Sequence, residues 1–183
     1  MRYIQFVYEK DLENIDKIDL SQLVEFNHLK DRFLELVVQV IMMKFNFEKI
    51  NGTYLGKSGS IEVPLFDVVD TRQVKASKTR SYQIDVFARS PEITWICECK
   101  YTKKKMGLKQ VKKLESAARA LKLEAKEIQV KVQLWLVSTG GFTDRVLSYV
   151  NDRDDIYYSD YEGINGIFRF YGGNYQIPVF KAS

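Results

Sequence analysis

Histidine occurs once in these 183 residues, at position 28, and cysteine only twice, at 97 and 99. Three such side chains do not make a zinc set, which takes four ligands at characteristic spacings. Cys97 and Cys99 are two apart, hence on one face of any strand that contains them, and cannot bridge each other sensibly. They read as small buried apolar residues in a reducing compartment, an expectation that places the chain in the cytoplasm. No apolar run reaches the roughly 18–20 residues of a membrane span. The N-terminus lacks the basic-apolar-small order of a secretion signal, so no membrane partner is expected. Internal repeats, low-complexity stretches, a Walker phosphate loop and an obvious helix-turn-helix are also missing. What remains is ordinary for one α/β domain with a single core: 45% hydrophobic, 28% charged and a net charge of +4.

The chain is organised around residues 82–101, YQIDVFARSPEITWICECKY. These read as two adjacent strands joined by a turn at Arg89-Ser90-Pro91-Glu92. Side chains two apart share a face. Alternation therefore groups Ile84, Val86 and Ala88 with the core, and Asp85 with Gln83 and Phe87 on the other face. In the second strand Trp95, Cys97, Cys99 and Tyr101 point to the core, while Glu98 and Lys100 point away with Thr94 and Ile96. If the strands pair as a hairpin, two carboxylates and an ammonium meet. Such carboxylates bind a hard cation such as Mg²⁺, leaving room for water and a phosphate oxygen. A lysine beside them orients or deprotonates water and stabilises negative charge. A plain ion pair, Glu98–Lys100 or Asp85–Lys100, explains the same spacing.

Upstream, Asp19 and Gln22 suggest a helix start of the capping-box kind, with the helix running to about Lys44. Leu29, Phe33, Leu36, Val37, Val40 and Ile41 form its stripe, and Val38, Met42 and Met43 make it apolar almost all round. Glu35 and Gln39 are the polar residues between Phe33 and Met43, four apart and on one face. Either Glu35 faces the carboxylate site, or the two form an exposed strip. Residues 61–70 read as one strand or two short ones around Pro64, with Asp67 as a decoy for the first carboxylate. Residues 71–81 read as a basic loop. After Lys100 come Lys103, Lys104, Lys105, Lys109, Lys112 and Lys113, with no acid until Glu115. They are either a solvated face or a phosphate-contacting surface that begins where the carboxylate strand ends. A helix after Gly107 buries Leu108, Val111, Leu114, Ala118, Leu121 and Ala125. Residues 134–138, LWLVS, fit a strand buried on both faces. Thr143 is a plausible N-cap for the next helix, and the turn before it is either a phosphate dock at the helix N-terminus or only a tight strand-to-helix link. Residues 156–158 and 166–180 read as late strands, the second with an aromatic tail.

Asp85 followed by Glu98-Cys99-Lys100 at the end of the next strand resembles the PD-(D/E)XK nuclease signature. With the lysines, the glycine and helix, and then QLWLVSTGGFTDRV (133–146), about residues 26–150 are similar to the Mrr-type restriction endonuclease domain. Ile84 stands where the signature has proline. The helical glutamate of the family would fall at Leu34 if Phe33 is matched, whereas this chain has Glu35. The resemblance implies an α/β fold of the restriction-endonuclease-like type, a central mixed β-sheet flanked by α-helices. It implies metal-dependent hydrolysis of phosphodiester bonds, chiefly in DNA, for restriction, defence or DNA processing. Asp85, Glu98 and the Cys99 carbonyl would bind Mg²⁺ or Mn²⁺, and Lys100 would position water. Gln110 falls at a family position that often carries glutamine or lysine. Cutting both strands implies a homodimer or a larger host complex. The expected organisation is an extension over 1–25, the nuclease domain over 26–158, and a strand and tail over 159–183 packing on the same domain. The alternative is a nucleic-acid-binding or protein-interaction module with the nuclease fold and little activity.

Overall fold

The computed structural model describes residues 32–77, 79–125, 131–173 and 176–177. The expected helix start at Asp19 and Gln22, together with Leu29 and His28, lies outside them. Helix α1 (Phe33–Met43) buries Phe33, Leu34, Val37, Val38, Ile41 and Met42. An apolar surface that wide cannot remain at the periphery, and it lies against the sheet. Two short strands, β1 (Lys49–Asn51) and β2 (Ser60–Glu62), pair antiparallel around a 3-10 turn over Gly52–Leu55. Asn51 starts that turn by accepting the Thr53 N–H at 3.0 Å.

Among the described residues, five strands make the main sheet: β3 (Val68–Lys75), β4 (Ser81–Arg89), β5 (Ile93–Lys100), β6 (Lys131–Ser138) and β7 (Ile156–Ser159). Their spatial order is β3-β4-β5-β6-β7. The first two pairings are antiparallel and the last two parallel. This is the mixed sheet expected of the α/β class. Helix α2 (Leu108–Ala125) makes the crossover that parallel strands require between β5 and β6. Helix α3 (Asp144–Val150) links β6 to β7, and helix α4 (Tyr161–Phe170) follows β7.

Both faces of the sheet are covered. On one, α1 and α4 pack with Val86, Ala88, Trp95, Cys97, Cys99, Trp135 and Val137. On the other, α2 and α3 pack with Val74, Ile84, Phe87, Ile96, Leu134 and Leu136. Trp95 and Trp135 are almost wholly buried and meet edge to face, with ring centres 6.0 Å apart. A buried tryptophan removes about 150–250 Å² from water, about 4–6 kcal/mol of transfer free energy before ordering entropy is subtracted. Trp135 Nε1 donates to Ser159 Oγ at 2.9 Å, and that hydroxyl donates to the Tyr54 carbonyl at 2.6 Å. The indole thus keeps a hydrogen bond inside the core.

Three expectations change. Residues 71–75 are not loop: they continue β3 and pair with Ser81–Ile84 of β4. The strand lies at a sheet edge, where one flank is solvated and charged side chains are tolerated. The stretch 166–170, expected to begin a final strand, is instead the second half of the helix Tyr161–Phe170. Asp160 caps it by accepting the Gly163 N–H at 2.9 Å, and Gly163 and Gly166 let it approach Tyr54 so closely that a Cβ would collide. Finally, Ile84 packs on the α2 face with Phe87, because alternation breaks between them. Asp70 opposes Phe87 and Arg72 opposes Ile84, so Thr71 alone faces both Asp85 and Val86. The extra residue is a β-bulge, and such bulges re-aim side chains.

Candidate active site

The bulge breaks the expected grouping of Asp85 with Phe87, which packs on the α2 face with Ile84. The β4–β5 ladder runs from Arg89–Thr94 to Val86–Cys97. Beyond it, Asp85 Oδ2 accepts the Cys99 N–H at 2.8 Å, so a carboxylate takes the place of a ladder carbonyl. Asp85 is 7% exposed and Glu98 1%. Burial raises the Asp85 pKa above the usual carboxylate range, and the charge of Glu98 adds to the rise; the Cys99 N–H, Lys100 and Lys113 oppose it.

Glu98 stands between two ammonium groups. Lys100 Nζ lies 3.2 Å from its Oε1, and Lys113 Nζ, from helix α2, lies 3.0 Å from its Oε2. Burial would lower the pKa of Lys100, but the charge and hydrogen bond of Glu98, with help from Asp85, carry it above its ordinary value. Lys100 is therefore an ammonium at neutral pH, a group able to orient water and stabilise negative charge but not to accept a proton.

Glu35, half-buried on α1, feels the same cluster. Burial is the largest cause of its rise from 4.5 to about 7; Asp85 and Glu98 add to it, while Arg32 and Lys100 pull the other way. Gln39 is buried. The two are therefore not the exposed strip that was the other reading of this helix.

The lysine run divides. Lys103, Lys104, Lys105 and Lys109 are exposed on the loop after β5 and the first turn of α2. Lys112 instead bonds Glu115 Oε2 at 3.0 Å and the Tyr149 hydroxyl. Glu115 also accepts from Tyr149 at 2.7 Å and Arg153 at 2.9 Å. Although burial alone would raise it, these partners hold the Glu115 pKa below the usual range. Gln110 is half-buried beside Gly107. Asp67 is exposed, and its N–H bonds the carbonyl of Arg89, the last residue of β4, at 2.9 Å.

The Thr139–Thr143 turn clamps the lysine loop, a role sequence reasoning did not assign. Thr139 Oγ1 accepts the Thr102 N–H and donates to the Thr102 carbonyl, both at 3.0 Å. Met106 N–H bonds the Gly141 carbonyl at 2.8 Å, and Thr143 N–H bonds the Met106 carbonyl at 3.1 Å. Gly140 lies so close to the Thr102–Lys104 backbone that no Cβ fits. Thr143 occupies the N-cap position of α3, but its hydroxyl makes no capping bond, and the acidic Asp144 fills the first turn.

Residues 35–165 match the restriction endonuclease family of the Mrr catalytic type. The chain belongs to that family. Asp85, Glu98, Lys100 and the Thr139–Thr143 turn all fall inside the matched span of this restriction-endonuclease-type domain. A crystal structure described as "Protein of Unknown Function AF1548" is similar at 16% identity and a TM-score of 0.45, over 57% of this chain and 58% of that one. The chain thus spans a little over half the length of that protein. No curated protein matches. Among the described residues, no helix is long and apolar enough to cross a membrane.

Replacing Glu35 tests its surroundings through pH. Its folded value, about 7, lies above the ordinary 4.5, so between those values the folded domain binds more protons than the unfolded chain. Stability then declines as pH rises through that window, and the cost of ionised Glu35 is fully present above it. In EDTA, Glu35→Gln should melt close to wild type near the lower limit and at a higher temperature than wild type above the upper one. Parallel melting curves across the window would show that Glu35 is solvated and outside the cluster.

Proposed function

We infer that this domain is a divalent-cation-dependent nuclease that hydrolyses phosphodiester bonds in DNA. The observation that carries the reading is the parting of β4 and β5, which brings two buried carboxylates, Asp85 and Glu98, to one strand end beside Lys100. The donor chemistry fits a hard cation: acidic oxygens in a buried place, where burial and then the charge of Glu98 already raise the Asp85 pKa. Among the described residues, no three His, Cys, Asp or Glu side chains form a ready-made cage. Asp85, Glu98 and the Cys99 carbonyl would therefore hold Mg²⁺ or Mn²⁺ with water and phosphate oxygens completing the shell. When bound, the cation supplies charge neutralisation at the phosphate and the leaving oxygen. Lys100, kept protonated, orients the attacking water and stabilises the charge that develops. Glu35 is suited to accept the proton the water loses, because a group near pKa 7 is matched to neutral pH. As the new P–O bond forms from water, the ester P–O bond breaks and leaves a free hydroxyl on one product.

Lys103, Lys104, Lys105 and Lys109 would contact phosphates from the clamped loop and the start of α2. Gln110, beside them, would act only through the substrate. Residues 159–183 would belong to the same catalytic unit as 26–158, supported by Ile164, Ile167, Phe168 and Ile177 in the cluster that holds Trp95. Cutting both strands would take two copies or a host complex, in a cytoplasmic setting. A second reading, a binding module with little activity, is favoured by the lysines on both Glu98 oxygens.

The deciding assay is supercoiled plasmid with Mg²⁺ or Mn²⁺, with and without EDTA. Nicked or linear product that EDTA abolishes and added cation restores supports the nuclease. Retarded but uncut DNA supports the binding module, and cutting insensitive to EDTA removes the cation from the mechanism.

A further inference from the structure

We propose that Lys113 is a positioning residue that competes with the divalent cation for Glu98 and so sets the affinity of the site. This inference rests on the nuclease reading and concerns a lysine that sequence reasoning assigned to phosphate contact.

Glu98 is 1% exposed, and both its oxygens already carry ammonium partners. Counting formal charges, Asp85 and Glu98 are balanced by Lys100 and Lys113 before any cation arrives. A divalent ion that binds the same two carboxylates brings a positive excess, offset only in part by Glu35 of α1, into a buried place where charges interact strongly. One ammonium then has to withdraw. Lys100 is equally exposed, its side chain at 42%, but in the nuclease reading it stays beside the attacking water. Lys113 reaches in from a separate element, and its side chain is 43% exposed, so it can swing to water at little cost. Lys113 holds Glu98 Oε2 in place and leaves when the cation takes that oxygen. Its removal therefore exposes Glu98 to the cation without a competitor.

The test is Mn²⁺ binding by titration calorimetry on the full chain, for wild type, Lys113→Met and Lys113→Arg, with circular dichroism as the folding control. Methionine keeps the length and removes the charge; arginine keeps the charge. Lys113→Met should bind Mn²⁺ about tenfold or more tightly than wild type. It should also gain a larger rise in melting temperature from added Mn²⁺. Lys113→Arg should bind as wild type does. Unchanged affinity in Lys113→Met would reduce Lys113 to a surface ion pair. Weaker affinity would make it a support for Glu98 rather than a competitor, and either result overturns the proposal. If neither wild type nor Lys113→Met binds Mn²⁺, the nuclease reading falls as well. Binding confined to Lys113→Met supports competition in its strongest form.

Discussion

Asp85→Ala, Glu98→Ala and Lys100→Ala should each remove plasmid cleavage. In the proposed nuclease the three act on one event, so each loss is expected to be nearly complete rather than additive. Deleting one preorganised group that stabilises transition-state charge costs about 10²–10³ in rate, which sets the scale for Lys100. Loss of a cation-holding carboxylate should cost at least as much. Two of the substitutions also disturb the fold. Asp85→Ala leaves the buried Cys99 N–H without its 2.8 Å acceptor, at a cost of about 1–3 kcal/mol. Glu98→Ala leaves two ammonium groups facing each other. Asp85→Asn and Glu98→Gln avoid most of this, because the amide oxygen still accepts a hydrogen bond while the charge is gone. Both should remain folded by circular dichroism and cut no DNA. Asp67→Asn should cut like wild type, since Asp67 is exposed beside Arg89, four residues along β4 from Asp85. Cutting that survives Asp85→Asn would move the cation site elsewhere, with Asp67 the next place to look.

The sequence was informative where chemistry contradicts burial. Asp85, Glu98 and Lys100 stand out because polar residues in apolar strands require a partner, and the structure brings them together. The resemblance carried the α/β class, and periodicity carried the buried β6 and part of the α2 stripe: Val111, Leu114 and Leu121 are buried, whereas Leu108 and Ala118 are half-buried and Ala117 and Ala120 take their place. The sequence could not show the bulge, because the number of β3 residues opposing β4 is a property of the pair and not of either strand. The fate of Lys113 was hidden for a similar reason. Lys109, Lys112 and Lys113 share a helix face by spacing, yet the packing of α2 decides that one reaches Glu98 and another Glu115. The helix α4 was misread because its Ile, Phe and Tyr favour strands in isolation. Tertiary contact with Tyr54 through Gly163 and Gly166, with the Asp160 cap, outweighs that preference. The edge strand over 71–75 was misread because its charges resemble those of a loop, although an edge accommodates both.

Replacing Lys103, Lys104 and Lys105 together by Gln should weaken DNA binding and flatten its salt dependence. The three are exposed, and the loop that carries them is fastened to the Thr139–Thr143 turn, so the change should not spread into the carboxylate site. Each lysine that neutralises a duplex phosphate releases counterions and contributes about 0.9 to the slope of log affinity against log salt. Three contacts therefore contribute about 2.7, and between roughly 50 and 200 mM salt the wild type should lose about 40-fold more affinity than the variant. The loss should be alike for unrelated DNA sequences, because phosphate contacts carry no base information. With DNA and protein saturating, cleavage should persist, since Asp85, Glu98 and Lys100 are untouched. A nuclease thus loses affinity and keeps its rate, while a binding module loses affinity and has no rate to keep. An unchanged slope in the triple variant would make the run a solvated face. The phosphate contacts would then have to come from the basic residues of β3 and the turn after it, Arg72, Lys75 and Arg80.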